Sequence, residues 1–188
     1  MRISEGTALL TSRIWGRVIS KLKVADIDEA MDPAKPPAEE VARVSLAKAL
    51  AVPREERDVV IAADTIVVCE GKVLGKPKDE EDAFRILSLL SGRHHEVMTG
   101  MTVLKDDEII THTEVTRIHF RELHPDEIRA YIASGEPMDK AGAYGIQGGA
   151  ALFADEMVGD YYNVMGLPVC RLAMILRQLK LPVWGVRV

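Results

Sequence analysis

The clearest pattern along the chain is an apolar run from Val59 to Val68 that one charged residue, Asp64, interrupts. β-Branched residues dominate this run, which is typical of a buried strand. A buried carboxylate is costly unless a cation or a metal ion lies next to it. Two interpretations are open: Asp64 caps or turns a strand, as aspartates beside strand ends commonly do, or it carries chemistry.

Strand-like and helical periodicities alternate through the rest of the chain. Two strand-like runs, Glu96 to Leu104 and Ile109 to Phe120, flank a charged turn from Lys105 to Glu108, and this order predicts an antiparallel hairpin. The alternation predicts an α/β fold with a twisted mixed β-sheet flanked by helices. Apolar spacing and cap residues predict a short strand at Ala8 to Leu10 and helices at Arg13 to Leu22, Pro37 to about Leu50, Asp79 to Leu90, Asp126 to Ala133 and Pro168 to Leu179.

The composition is that of an ordinary globular protein. The chain has 188 residues, of which 47% are hydrophobic and 28% charged, and this length allows a sizeable core. We expect one domain over residues 1–188, or two lobes that share a sheet. The net charge of -5 argues against a broad nucleic-acid surface, because phosphate backbones demand clustered positive charge. We therefore expect no nucleic-acid partner.

The cysteines and the first residues indicate the compartment. Cys69 and Cys170 each follow a valine, which favours two buried free thiols in a reducing compartment over a disulfide. The first residues lack the apolar segment of a secretory signal, and no stretch approaches the roughly 20 apolar residues of a membrane helix. These features predict a cytoplasmic protein without a membrane partner.

Two lysines are candidates for binding phosphate. Lys76 is held between Gly75 and Pro77, two residues that fix the direction of the backbone, and a rigid ammonium near an isolated carboxylate suits a phosphate and its metal ion. Lys48 shares the apolar face of the first long helix with Val41 and Val44. Lysine stems often lie along such faces with the ammonium in water, so a purely structural interpretation of Lys48 is equally consistent with its position.

A glycine-rich stretch from Asp139 to Gly149 is the second informative region. Small residues surround one amide side chain, Gln147, which is typical of a loop that approaches a ligand closely. A flexible linker is the alternative, but linkers seldom interleave residues such as Tyr144 and Ile146. Because an amide both donates and accepts hydrogen bonds, Gln147 suits the O4 and N3 edge of uracil or thymine.

Five short motifs follow one another along the chain: Ala63-Asp64-Thr65, Gly75-Lys76-Pro77, Leu90-Ser91-Gly92, Gly142-Ala143-Tyr144-Gly145-Ile146-Gln147-Gly148 and Gly166-Leu167-Pro168. Their order and spacing resemble those of the Maf family of nucleoside triphosphate pyrophosphatases, over roughly residues 24 to 180. The resemblance implies a Maf/ITPase-like fold with two lobes around a central cleft. It also implies hydrolysis of a nucleoside triphosphate to the monophosphate and pyrophosphate, a homodimer, and a link to septum formation.

The resemblance assigns roles to individual residues. It implies that Asp64 is the catalytic base and that Glu29 and Asp64 hold a divalent metal cation, Mg²⁺ or Mn²⁺. Lys48 and Lys76 would then bind the phosphates. Tyr-Gly-Ile-Gln-Gly marks the branch of the family directed at dTTP and UTP, so Gln147, together with Thr65, implies selection of a pyrimidine base.

The sequence departs from the family near its amino terminus. Maf proteins carry a Ser-Pro-Arg-Arg turn there, whose amides and arginines would hold the triphosphate. Aligned on Ser12, the second arginine falls on Arg17, but Gly16 replaces the first arginine and Trp15 replaces the proline. Ser12 and Arg17 are the substrate-binding candidates here. The departure keeps one alternative open, a catalytically impaired nucleotide-binding protein acting in control of cell division. A pyrophosphatase for modified nucleotides is a separate alternative.

Overall fold

The fold is an α/β arrangement around strand β1 (Val59–Cys69), the apolar run that contains Asp64. The computed structural model describes residues 25–55 and 58–183, so the strand predicted at Ala8 to Leu10 and the helix predicted at Arg13 to Leu22 lie outside the described residues. The other elements are helices α1 (Pro37–Ala51), α2 (Glu80–Leu90), α3 (Pro125–Ala133), α4 (Tyr161–Val164) and α5 (Val169–Gln178), strands β2 (Lys72–Leu74), β3 (His94–Lys105), β4 (Glu108–Phe120) and β5 (Ala154–Val158), and 3₁₀ turns at Glu136–Asp139, Ala141–Ala143 and Gly149–Leu152.

The five strands form one sheet in the order β2-β1-β3-β4-β5. A two-residue turn at Glu70 and Gly71, both with positive φ, joins β1 to β2, and a second tight turn joins β3 to β4. Such turns produce antiparallel neighbours, and β4 and β5 are antiparallel as well. The α/β class and the predicted hairpin are confirmed. In the part of the chain that the structure describes, the five strands of the sheet are antiparallel.

The helices that the sequence predicted in the described residues are present, with ends that follow from local chemistry. Helix α1 begins at Pro37, where a missing backbone N–H costs nothing. At α2, the side chain of Asp79 accepts a hydrogen bond from the backbone N–H of Asp82 at 2.7 Å. At α3, a capping box between His124 and Glu127 starts the helix one residue earlier than predicted. No helix in this part of the chain has the length and apolar character of a membrane span.

The described residues divide into two compact units, and the long strands contribute to both. The first unit holds the residues up to Asp64, Thr99–Glu114 and the residues from Gly166 onward. In its core, one face of α5 packs against β1 and β3. The buried residues of this core are Ile61, Met101, Val103, Leu167, Leu172, Ile175, Leu176, Leu179 and Val183. Cys170 lies on the opposite face of α5 and is exposed, so the prediction that it is buried is wrong. Cys69 is buried, as predicted.

The second unit holds Thr65–Met98 and Val115–Met165. Its core packs α2 and α3 with a cluster of rings in edge-to-face contact, an arrangement that aromatic quadrupoles favour. The ring centroids of Phe120 and Tyr144 are 4.8 Å apart, and those of Tyr131 and Phe153 are 5.2 Å apart. His95 joins this cluster, with its Nε2 atom 2.9 Å from the Tyr144 hydroxyl. The cluster supports the loops that follow α3.

Candidate functional site

Lys48 lies in the last turn of α1, with its ammonium inside the first unit. The helical period brings it to the same face as Val41 and Val44, and only 3% of the residue is exposed. The interpretation in which the ammonium extends into water is therefore wrong. A buried ammonium is unfavourable unless acidic partners surround it.

Two carboxylates meet this ammonium. Lys48 Nζ donates a hydrogen bond to Asp64 Oδ1 at 2.7 Å and lies 2.9 Å from Glu29 Oε1. The Asp64 side chain is 12% exposed and that of Glu29 is 51% exposed. We call Lys48, Asp64 and Glu29 the lysine cluster. The charge inside the apolar run of β1 thus pairs with a cation from α1, which explains how the strand tolerates it.

The lysine cluster shifts the pKa of two of its members. Burial on its own lowers the pKa of Lys48, but the hydrogen bond to Asp64 and the charges of both acids outweigh it, so the pKa is raised. Burial raises the pKa of Asp64, the ammonium of Lys48 opposes this shift, and the charge of Glu29 adds to it. The raised pKa of Asp64 therefore comes mainly from burial, whereas that of Lys48 comes from its two acidic partners. Asp64 is therefore a stronger base than an exposed aspartate.

A second pair of side chains holds the loop that carries Glu29. The buried carboxylate of Glu40 on α1 accepts a hydrogen bond from the backbone N–H of Asp32 at 2.9 Å. Arg43 Nη2 donates to the carbonyl of Ala30 at 2.7 Å and to Glu40 Oε2 at 3.0 Å. The hydrogen bonds from Arg43 and Asp32 lower the pKa of Glu40. One turn of α1 therefore fixes the chain directly after Glu29.

The donor set of the lysine cluster suits a hard cation. Asp64 and Glu29 each place a carboxylate oxygen within 2.9 Å of the same ammonium nitrogen, so their oxygens converge. Across the described ranges, no three His, Cys, Asp or Glu side chains form a group that could hold a metal ion. Mg²⁺ is commonly bound by one or two carboxylates together with substrate phosphates rather than by an all-protein cage. Two convergent carboxylates fit that mode of binding.

In the second unit, the loop of Lys76 contacts the glycine-rich stretch. The carbonyl of Gly75 accepts a hydrogen bond from the N–H of Gly142 at 3.0 Å. Gly142 has a φ of +69°, and a Cβ atom there would lie 2.8 Å from the Val67 side chain, so only glycine fits. Lys76 itself is exposed. The structure therefore joins two stretches that the sequence singled out independently.

Gln147 lies at the tip of a β-turn. The N–H of Gly148 donates to the carbonyl of Gly145 at 3.0 Å, which makes Ile146 and Gln147 the central residues of the turn. The side chain of Gln147 is exposed. We call residues 145–148 the glutamine turn. An exposed amide on a closed turn is available to a ligand.

The glutamine turn is attached to α3 through Tyr131 and Glu136. The N–H of Gly145 donates to the Tyr131 hydroxyl at 3.1 Å, and this hydroxyl donates to Glu136 Oε1 at 3.1 Å. The other oxygen of Glu136 accepts from the N–H of Gly149 at 3.1 Å. A Cβ atom on Gly148 would overlap the Glu136 carboxylate. The small residue at this position is thus explained by a neighbour in the chain itself.

The structure brings some of the predicted site residues together, whereas others lie elsewhere or outside the described residues. It brings Lys48, Asp64 and Glu29 together in one cluster, and it links the loop of Lys76 to the stretch that carries Gln147. Thr65 is partly buried on β1, directly after Asp64. The other two candidates, Ser12 and Arg17, lie outside the described residues.

Sequence reasoning missed four residues that support the site: Tyr131, Glu136, Glu40 and Arg43. Glu136 stands beside a proline in a polar stretch and Tyr131 has the spacing of a core residue, so neither gave a sign of contact with the glutamine turn. For Glu40 and Arg43 a weak signal exists, because acidic and basic residues three positions apart on a helix can pair. It did not indicate that the pair would hold a distant loop.

The chain matches a known family over most of its length. The family model for Maf-like proteins matches residues 7–179. The dTTP/UTP pyrophosphatase of Syntrophomonas wolfei subsp. wolfei is 53% identical over 150 residues, which are 78% of this chain and 79% of that protein. Those of Geotalea uraniireducens and Moorella thermoacetica are each 49% identical, over 82% and 85% of this chain and 81% and 84% of the relative. The chain belongs to the Maf family.

Proposed function

We propose that the protein is a nucleoside triphosphate pyrophosphatase that hydrolyses dTTP and UTP to the nucleoside monophosphate and pyrophosphate. Membership of the Maf family and the activity named for its relatives support this function. The observation that carries it in the structure is the lysine cluster, in which a base of raised pKa, a second carboxylate and an ammonium converge. Phosphoanhydride hydrolysis needs charge neutralisation and an oriented water.

Asp64 is the base that orients the attacking water and accepts its proton. A general base works best when its pKa lies near the operating pH. Burial moves the pKa of Asp64 in that direction. The hydrogen bond that Lys48 donates to Oδ1 fixes the orientation of the carboxylate, and Oδ2 is the atom that would orient the water.

Glu29 and Asp64 would hold the divalent cation, Mg²⁺ or Mn²⁺, next to the triphosphate. When bound, the ion supplies neutralisation of phosphate charge and lowers the pKa of water. The backbone that carries Glu29 is fixed, because the side chains of Glu40 and Arg43 form hydrogen bonds with the backbone of residues 30 and 32.

The two lysines bind the triphosphate as compact positive charges. Lys48 meets Asp64 and Glu29 with two of its three N–H donors, and the third binds a phosphate oxygen. Lys76 is exposed and binds the pyrophosphate that leaves. Ser12 and Arg17 complete phosphate binding.

Gln147 and Thr65 select the base. Uracil and thymine present the same O4 acceptor and N3–H donor, which match the donor and the acceptor of one amide. One glutamine thus accepts both dTTP and UTP and disfavours bases with a different edge. We also propose that the protein works in the cytoplasm as a single-domain chain that forms a homodimer.

The decisive experiment measures pyrophosphate release from common and modified nucleoside triphosphates, with Mg²⁺ and with Mn²⁺. We expect release from dTTP and UTP and a loss of at least about 100-fold in kcat for Asp64→Asn, the range that removal of a general base gives. Asp126→Asn, the same change at an exposed aspartate of α3, is the matched control and should retain full activity. Retention of most turnover by Asp64→Asn would remove Asp64 from the catalytic role.

The departure at Gly16 and Trp15 favours one second candidate, a nucleotide-binding protein without turnover that acts in control of cell division. Arginine gives bidentate phosphate contacts that lysine does not replace. This candidate predicts binding of UTP or dTTP with no pyrophosphate release. In the same panel, preferential cleavage of a modified nucleotide would instead identify the substrate as a non-standard base.

A further inference from the structure

We propose that Tyr131 and Glu136 are positioning residues that determine base selectivity by fixing the glutamine turn. This inference rests on the proposed function, because it states how that site distinguishes one pyrimidine from another. In this role neither side chain contacts the base. Both act through the backbone that presents Gln147.

The hydrogen bonds hold the turn on both sides of Gln147. The Tyr131 hydroxyl accepts a hydrogen bond from the N–H of Gly145, the first residue of the turn. The Glu136 carboxylate accepts one from the N–H of Gly149, the residue directly after the turn. The hydrogen bond from Tyr131 to Glu136 joins these two attachment points. The backbone on either side of Ile146 and Gln147 is therefore bound to one side-chain unit.

This side-chain unit is itself rigid. Tyr131 is 7% exposed and its ring packs edge-on against Phe153. Burial raises the pKa of its hydroxyl above the ordinary tyrosine value, so the hydroxyl keeps the proton that it donates to Glu136. A Cβ atom on Gly148 would overlap the Glu136 carboxylate, so the turn packs directly against that side chain. The position of the turn is thus set by contacts on several sides.

Fixing the turn matters because an amide is ambiguous. Uracil offers an acceptor at O4, where cytosine offers an N4–H donor. A glutamine amide satisfies uracil in one orientation and cytosine in the opposite one. A mobile side chain would accept both bases by rotating, so discrimination depends on a backbone that limits where the amide can lie.

The test compares kcat/KM for UTP and CTP in a double-mutant cycle of Tyr131→Phe and Gln147→Ala. The phenylalanine keeps the ring and removes only the hydroxyl that joins Gly145 to Glu136. We expect Tyr131→Phe to lower the UTP:CTP ratio about five- to tenfold, the size of one hydrogen bond, mainly through KM for UTP. In the Gln147→Ala background the same substitution should leave the ratio unchanged, since the amide that it positions is gone.

Tyr144→Phe is the matched control. Tyr144 is buried in the same unit and its hydroxyl lies 2.9 Å from His95 Nε2, with no hydrogen bond to the glutamine turn among the described residues. Its loss should lower thermal stability and leave the UTP:CTP ratio unchanged. A purely structural role of Tyr131 would give the same result, so the ratio separates positioning from stability.

Two outcomes overturn the proposal: an unchanged ratio in Tyr131→Phe, or an equal change with and without Gln147. Absence of pyrophosphate release from wild-type protein would instead contradict the proposed function. In that case the ratio of UTP and CTP dissociation constants, measured by calorimetry for the same proteins, decides the inference by the same two criteria. The two failures are therefore distinguishable.

Discussion

The lysine cluster and the glutamine turn are held in place by different forces. In the first, an almost completely buried ammonium joins two carboxylates, and the position of each side chain depends on the charge of the others. In the second, a tyrosine hydroxyl and a carboxylate bind backbone N–H groups, and a glycine allows the close approach. The first should be sensitive to the removal of charge and the second to the addition of volume.

This difference corresponds to two kinds of chemistry. Phosphate hydrolysis needs concentrated charge, and buried charge requires partners of opposite sign. Base recognition needs a defined direction for one neutral amide, which hydrogen bonds to backbone provide without a large field. The following substitutions, from the largest expected effect to the smallest, test whether the distinction holds.

Replacing Lys48 by methionine should give the largest effect. Asp64, whose side chain is only 12% exposed, would lose its cation, and leaving one partner of a buried ion pair unmatched costs about 3 kcal/mol in unfolding free energy. Turnover of UTP should fall by at least about 100-fold, because the base also loses its orientation. Denaturant unfolding and pyrophosphate release provide the two measurements.

Lys105→Met is the control for that substitution. Lys105 lies in the same unit and donates to the carbonyl of Leu179 at 3.2 Å, but 26% of its side chain is exposed. Its replacement should cost about 1 kcal/mol or less. Equal losses of unfolding free energy for the two substitutions would show that the ion pairs of the lysine cluster do not stabilise the fold more than the hydrogen bond of Lys105.

Gly148→Ala should have an intermediate effect, mainly on selectivity. The added Cβ overlaps the Glu136 carboxylate, and overpacking of this kind costs about 1 to 3 kcal/mol. The turn should shift and the UTP:CTP ratio should fall. In a cycle with Glu136→Ala, the two losses in unfolding free energy should be less than additive, since the shorter side chain removes the overlap. If the two losses in unfolding free energy were strictly additive, the overlap with Glu136 would not be the cause of the destabilisation by Gly148→Ala.

The smallest of these effects should be a shift of the pH profile in Glu29→Gln, considered apart from the loss of rate that follows from removing a proposed metal-binding carboxylate. The charge of Glu29 raises the pKa of Asp64, whose unprotonated form is the base. Without that charge the pKa of Asp64 falls, so the acid limb of kcat/KM should move to lower pH even if the maximal rate drops. Glu39→Gln, an equal loss of charge at an exposed position of α1, should leave the limb in place. A shift to higher pH would show that Glu29 acts on Asp64 in another way.

The sequence predicted much of the lysine cluster because its signals are local. A helical period identified the inward face of α1 but left a purely structural Lys48 equally consistent, and a single acid in an apolar run singled out Asp64. Glu29 lay among three acids of a loop, and only the family resemblance selected it. Its contact with Lys48 depends on Glu40 and Arg43 holding the following residues, which no local pattern describes.

The support of the glutamine turn was not predictable from local pattern. Tyr131 and Gly145 are 14 positions apart, and their contact exists only after α3 and the following 3₁₀ turns fold back. Strand β5 was missed for a related reason, because Ala154–Val158 contains two acids and lies at the sheet edge, where one face stays in water. Alternation of apolar residues identifies strands with a buried face and fails on such edges.

The ammonium of Lys48 serves as a counterion, supplied by the chain itself, for the two carboxylates of the lysine cluster. In many small metalloproteins the ligands repel one another until the ion arrives, so that folding and metal loading are one event. Here the ammonium of Lys48 lies within 2.9 Å of an oxygen of both Asp64 and Glu29, so a residue of α1 already offsets part of the repulsion between the two carboxylates. Under the proposed mechanism, the supply of divalent cation would therefore control how many molecules work, and not how many are folded.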